Sequence, residues 1–253
     1  MEFKGDALLL RAVDYGENDR IATLFTAERG KISAALKGVR KAGAKLRFAA
    51  QPFCFAEYVV AARGTRCTVT AASLHDAFYA LCEDVGRYYA AAVVTDACGK
   101  LALEGMQAGA LLVAAITALE GLCADEPLAL VKFLLSALDF AGYPVDTGVC
   151  PVCGNIPSGR MRFSFADGAF FCDGCFSEAT PASESTYLAL RAARGTGAAT
   201  QDGILRALRL LGAYFSRQVG AELPTLEEYL RIVKSVEYHS LDICKKMSIL
   251  VTI

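Results

Sequence analysis

Residues 20–37 read RIATLFTAERGKISAALK. Ile21, Leu24 and Phe25 give Arg20–Thr26 the apolar content of a strand. Ala27-Glu28-Arg29-Gly30 is a turn ending in glycine, and Lys31–Lys37 is a further strand mixing polar and apolar residues. The same grammar extends in both directions. Ala7–Val13 is a short apolar run suited to a buried strand, and Tyr15-Gly16-Glu17-Asn18 carries turn chemistry. On the far side, Gln51–Val60 is rich in aromatic and β-branched residues, Ala61-Ala62-Arg63-Gly64 is a turn, and Cys67–Ala72 is a fifth strand. The longest gap, Gly38–Ala50, separates the third strand from the fourth. Five short strands in this space fit a small closed barrel of the OB type. Strand count alone also allows an SH3-like barrel.

From Phe78 the period changes. Leu81, Val85, Tyr88, Tyr89 and Ala92 fall at helical spacing, and Ala and Leu dominate the composition from there on. Three helices are expected between residues 78 and 141. The last of them opens at Asp125-Glu126-Pro127 and stops at Gly142-Tyr143-Pro144. Helices resume at Ser183–Arg194, Ile204–Val219 and Thr225–Val233. Hydrophobic residues make up 54% of the 253 and charged residues 21%, enough for a sizeable core and too apolar for wholesale disorder. The expected fold class is therefore α+β and multi-domain. A five-stranded OB-type barrel over residues 1–76 precedes an α-helical domain over 77–234. That domain carries a four-cysteine insert at 144–182, and a tail follows at 235–253.

The insert holds Cys150-Pro151-Val152-Cys153 followed by Gly154, and Cys172-Asp173-Gly174-Cys175, with 18 residues between Cys153 and Cys172. Two residues between cysteines let both thiolates reach one metal from a tight turn. Gly154 and Gly174 are expected to relax the two turns. Four thiolates make the closed tetrahedral shell of one structural zinc, with no position left for a substrate. Met161–Phe165 and Ala169–Phe171 flank Asp167-Gly168, a hairpin signal that brings Cys153 and Cys172 together in a zinc-ribbon or zinc-knuckle arrangement. The insert has little core of its own, so metal binding would contribute on the order of 10 kcal/mol to folding it. The other six cysteines (Cys54, Cys67, Cys82, Cys98, Cys123, Cys244) sit in apolar surroundings and read as small buried hydrophobes. Met1–Asp6 is polar, with no secretory pattern after it. The longest uncharged apolar run, Ala108–Leu119, is shorter than the roughly 18 residues of a membrane span. A soluble protein in a reducing cytoplasm is expected.

The net charge of −1 conceals an asymmetry. Residues 1–76 hold 12 Lys+Arg against 8 Asp+Glu, and the remainder of the chain is acidic. Arg29, Lys31, Lys37, Arg40, Lys41, Lys45 and Arg47 fall in one stretch, and no acidic residue occurs from Arg29 to Ala56. Such a run on a barrel and its long loop makes a surface for phosphates. Gly38 and Gly43 give the loop freedom, and Phe48 and Phe53 are candidates for base stacking. Enzymatic readings have little to stand on. The two histidines, His75 and His239, have no nucleophile nearby in sequence, and no phosphate-binding glycine motif or deaminase H-x-E element is present. Asp14, Glu17 and Asp19 are close in sequence and are candidate carboxylates for a Mg²⁺-dependent nuclease-like activity, although in a turn they are expected to organise Arg20. A zinc-stabilised protein scaffold is a further alternative.

Several motifs taken together resemble the bacterial recombination and repair mediator family RecO over roughly residues 1–233. They are Tyr15-Gly16-Glu17-Asn18-Asp19-Arg20, Leu24-Phe25-Thr26 with Glu28 and Gly30-Lys31, Leu36-Lys37-Gly38-Val39-Arg40, and Gln51-Pro52-Phe53. The order of parts matches as well. The resemblance implies an N-terminal OB-fold, a helical C-terminal part and no catalysis. It further implies binding of single- and double-stranded DNA and annealing of complementary strands. With RecR as partner, it implies loading of RecA onto DNA coated by single-strand-binding protein, at the nucleoid in the cytoplasm. Lys37, Arg40 and Lys41 would contact phosphate, with Lys31, Lys45, Arg47 and Arg20 as further candidates. Some relatives lack the cysteines, which makes the zinc structural. The stretch Lys41-Ala42-Gly43-Ala44 is richer in small residues than the family pattern, and the tail with Ile249–Ile253 has no counterpart in it.

Overall fold

Alternation of inward and outward residues builds the barrel. In the computed structural model, which describes residues 2–235, β1 (Glu2–Tyr15), β2 (Asp19–Thr26), β3 (Gly30–Leu36), β4 (Phe55–Arg63) and β5 (Arg66–Asp76) close in the order β1-β2-β3-β5-β4. Neighbours are antiparallel except β3 and β5, which meet in parallel at Ala35 and Thr68. This is the closure of an OB-type barrel rather than an SH3-like one. Ala7, Leu9, Ala22, Leu24, Leu36 and Tyr58 fill the interior. Tyr58 is fully buried, and its hydroxyl donates to the Ala49 carbonyl at 3.1 Å. Leu8 and Phe25, partners across β1 and β2, point outward and are buried in the core of the helical domain. The outer face of the barrel is thus one wall of the second core.

β1 is twice the expected length. Its first half pairs with β4, from Glu2 opposite Ala61 to Leu8 opposite Phe55, and its second half pairs with β2 out to Tyr15 opposite Asp19. A bulge between Leu9 and Arg11 leaves Leu10 without a partner and turns it onto the helical core. The expected strand Gln51–Val60 begins only at Phe55. Pro52 has no amide hydrogen to give a ladder, and Phe53 sits at φ +63. Phe48–Ala50 is a short 3-10 turn.

The helical domain opens with a single turn, α1 (Ala80–Glu83), broken at Asp84. Asp84 is extended, and its carboxylate accepts from the Arg87 amide at 2.8 Å, capping α2 (Val85–Leu101). α3 (Gly109–Cys123) and α4 (Ala129–Phe140) follow, so four helices stand before residue 141 where three are expected, the one-turn α1 being the addition; α4 starts two residues after Pro127. α5 (Glu184–Ala193) is capped by Ser183 and α6 (Gln201–Val219) by Thr200; residues 224–235 are helical. Of the expected tail, residues 236–253, with His239, Cys244 and Ile249–Ile253, lie outside the described residues.

The insert forms β6 (Met161–Ser164), β7 (Ala169–Cys172) and β8 (Thr180–Ala182) in the order β7-β6-β8. The third strand goes beyond the hairpin that the sequence pattern implies. Pro181 disguises it, and the position is tolerated because β8 is an edge. Phe163 and Phe170 leave the insert and enter the helical core, 5.6 Å from Tyr214 and 5.1 Å from Tyr187 between ring centres.

Barrel and helices are joined by main-chain bonds. Gly105 N–H donates to Arg29 O at 2.9 Å and Ala108 N–H to Ala27 O at 2.7 Å. At the centre is Gly30, φ +59, where a Cβ would lie 1.9 Å from the Leu103 carbonyl oxygen. Only glycine fits there. The Lys31 ammonium adds a 2.7 Å bond to Gly99 O in the last turn of α2.

Candidate nucleic-acid interface and metal centre

The segment from Gly38 to Ala50 is a chain of turns. Lys41 N–H donates to Gly38 O, Ala44 to Lys41, Arg47 to Ala44 and Ala50 to Arg47, at 3.1 to 3.3 Å. Asp19 anchors its start by accepting from Gly38 N–H at 2.7 Å, and Arg40 N–H donates to Asn18 O at 3.0 Å. The turn after β1 and the turn after β3 therefore lock together. Asp14 holds both arginines at this junction: Arg20 Nε at 2.8 Å and an Arg40 guanidinium nitrogen at 3.2 Å. Arg20 also donates to Ala50 O at 3.1 Å.

This folding gathers Arg20, Arg40 and Arg47 around a cleft of about 310 Å³, floored by Val39, Ala50 and Gln51. Lys37, Lys41 and Lys45 are exposed on the same loop, and among the described residues neither they nor Arg47 form an ion pair. Three guanidinium groups with one shared carboxylate leave a surplus of positive charge and of donors arranged for an oxyanion. Lys31 stands apart from the group, its ammonium taken by Gly99 O. The two phenylalanines proposed for stacking are not presented to solvent. Phe53 is buried, and Phe48 is half-buried against the barrel core. Phe48 packs the loop onto the barrel core, whereas Phe53 enters the core of the helical domain.

The carboxylates weighed for catalysis serve the loop instead: Asp14 and Asp19 are occupied as described, and Glu17 is exposed. His75 pairs with Asp6 at 2.8 Å on the barrel surface.

In the insert, Cys150, Cys153, Cys172 and Cys175 bring their sulfur atoms within 4.8 Å of one another. Cys153 and Cys172 Sγ are 3.8 Å apart. Four sulfurs about 2.3 Å from a common centre in tetrahedral array would be separated by ~3.8 Å, so the set fits one metal ion. Each pair is shaped by its turn. Gly154 N–H donates to Cys150 O at 2.9 Å with Gly154 at φ +72, and Cys175 N–H donates to Cys172 O at 2.9 Å. Gly174 does not take a left-handed conformation, so the second turn makes no use of glycine's freedom. Burial opposes ionisation of Cys150, but backbone hydrogen bonds from Cys172, Cys153 and Val152 outweigh it and lower that thiol to about 6. Cys175 is pushed up to about 12, first by its hydrogen bond with Cys153, and burial raises Cys172. Thiols that hinder one another's ionisation are reconciled by a cation. Arg162 braces the second pair, bonding Asp173 at 3.0 Å and the carbonyls of Ser177 and Ala179, each at 3.0 Å. Among the remaining cysteines, Cys54 and Cys98 are buried as expected, Cys67 and Cys123 are half-buried, and Cys82 is exposed, contrary to expectation. Cys82 lies on the one-turn α1, whose one buried residue is Leu81.

An OB-type barrel bearing an arginine-lined cleft, fused to a helical domain with a four-thiol ribbon, defines a two-part protein without a recognisable reaction centre among the described residues. The family model described as "Recombination protein O N terminal" matches residues 1–78, and "Recombination protein O C terminal" matches residues 82–227. The chain is 34% identical over 176 residues to the DNA repair protein RecO of Myxococcus xanthus, covering 68% of this chain and 72% of that protein. It is 31% identical over 175 residues to the DNA repair protein RecO of Acetivibrio thermocellus, covering 68% and 70%. For the DNA repair protein RecO of Anaeromyxobacter dehalogenans the identity is 35% over 174 residues, covering 66% and 68%. The chain belongs to the RecO family. Its role lies in DNA recombination and repair, and the family is a non-catalytic one. Among the described residues no helix is long and apolar enough to cross a membrane.

Proposed function

We propose that this protein is a recombination mediator. It captures single- and double-stranded DNA on the barrel, anneals complementary strands, and acts with RecR to place RecA on DNA coated by single-strand-binding protein. The observation that carries this reading is the convergence of Arg20, Arg40 and Arg47 on one cleft beside the exposed Lys37, Lys41 and Lys45. Cations held on a rigid loop bind backbone phosphates whatever the sequence. Residues 1–76 are the DNA-binding domain. Residues 77–234 offer the docking surface for partners, and Lys31 contributes by fixing the joint between them. The four cysteines hold one zinc ion in a structural role, since an all-thiolate tetrahedral shell leaves no open position. The site of action is the cytoplasm, at the nucleoid.

The test is fluorescence anisotropy of a labelled single strand titrated with the protein at several salt concentrations, followed by its complement. Salt-sensitive binding with accelerated annealing is expected. Absence of binding at low salt would remove the reading and leave a metal-stabilised scaffold.

A further inference from the structure

The arginine cleft does not end at the barrel. It shares Arg20 and Ala50 with a larger cavity of about 740 Å³ between β1 and α2. Arg20 stands at the crossing, fixed by Asp14 and by Ala50 O. Past it, Arg11 of β1 and Lys100 of α2 line the cavity. Arg11 is exposed and makes no ion pair among the described residues, and Lys100 has only a loose partner, Asp96 at 3.9 Å. Asp96 is the one acid among the described residues of the lining, and Thr225 also donates to it, at 3.0 Å. Lys31 adds a fourth cation to the wall, although its ammonium is bonded to Gly99 O.

The floor of this cavity is aromatic. Tyr88 projects from α2 with its ring 5.3 Å from buried Phe53, edge to face, and remains 38% exposed. A basic groove beside a partly open aromatic ring is the arrangement that takes an unpaired nucleotide, because every base has a face to stack and every backbone carries charge. The volume suits a small flexible ligand rather than a paired helix.

We propose that this cavity between the two domains is a second subsite for single-stranded nucleic acid. A strand leaving the arginine cleft passes Arg20, lays its next phosphates against Arg11 and Lys100, and sets a base against Tyr88. The inference rests on the nucleic-acid reading above and adds α2 to the binding surface. It also gives the rigid joint through Gly30 and Lys31 a use, since the two walls of the groove belong to different domains.

The test uses the full chain and two labelled oligothymidines, of about 6 and about 20 nucleotides, since a barrel of this kind covers roughly 4–16. In the double variant Arg11→Ala/Lys100→Ala, affinity for the long strand falls by more than affinity for the short one. The slope of log affinity against log salt for the long strand becomes shallower by about 1.4, or about 0.7 for each phosphate no longer neutralised. Tyr88→Ala weakens long-strand binding about fivefold or more, and Tyr88→Phe restores it. A strand carrying 5-iodouracil crosslinks to Tyr88. Melting curves show whether each variant is folded, and the double variant, being on the surface, decides the question if Tyr88→Ala is not. If the wild type binds and Arg40→Ala/Arg47→Ala weakens it, while the Arg11/Lys100 double variant matches wild type and crosslinks map only to residues 37–54, the second subsite is overturned and the barrel reading stands. If the wild type binds neither oligonucleotide at low salt, both fail together.

Discussion

The Lys31 ammonium donates a 2.7 Å hydrogen bond to the main-chain oxygen of Gly99, 68 positions further along the chain. Gly99 lies in the last turn of α2, where carbonyls lack helical partners and the helix dipole is negative. The bond therefore satisfies an acceptor and neutralises a helix end while tying barrel to helices. Lys31→Met should lower unfolding stability by about 1–2 kcal/mol, read as a shifted urea midpoint. An unchanged midpoint would mean the bond adds nothing.

Gly30 should be harder to replace. An alanine there needs φ +59 and brings Cβ against the Leu103 carbonyl, main chain on both sides. Gly30→Ala is expected to cost about 3 kcal/mol or more and to open the joint, exposing amides of residues 103–108 to faster hydrogen exchange. Exchange at the wild-type rate would show that the joint yields more easily than its geometry implies.

Tyr58 tests the barrel alone. Removing its hydroxyl leaves the Ala49 carbonyl without that donor inside the core. Tyr58→Phe should cost about 1 kcal/mol in thermal or urea unfolding and leave oligonucleotide affinity unchanged.

The four-cysteine centre predicts one tightly held metal per chain, measurable by elemental analysis. Cys153→Ser or a strong chelator should release it and lower stability by several kcal/mol, because the sheet it pins sends Phe163 and Phe170 into the shared core. Salt-dependent DNA binding should survive, since the basic loop belongs to the barrel. Stability that ignores metal removal would contradict the assignment. Arg162→Ala should speed metal loss by freeing the loop that carries Asp173, Ser177 and Ala179.

What could be read from the sequence was whatever is encoded locally. The apolar content of Arg20–Thr26, the helical period after Phe78 and the two Cys-x-x-Cys turns all use neighbours a few positions apart. Relationships made by closure were not legible. The polar run Glu2–Asp6 is strand only because β4 supplies its partners. Phe53 looks like a stacking residue until the turn through Pro52 swings it inside. Lys31 belongs to a basic run in sequence but to a helix end in space. The grouping of Arg20 with Arg47 exists only once the chain of turns from Gly38 to Ala50 is folded.

In the function proposed above, the arginine cleft binds nucleic-acid backbone. The most direct measurement is the salt dependence of single-strand affinity for wild type against Arg40→Ala/Arg47→Ala, both shown to be folded. Weaker binding to every sequence is expected, with a slope shallower by about 1.4, since two phosphates are no longer neutralised. Equal affinity and equal slope in the two proteins would contradict it.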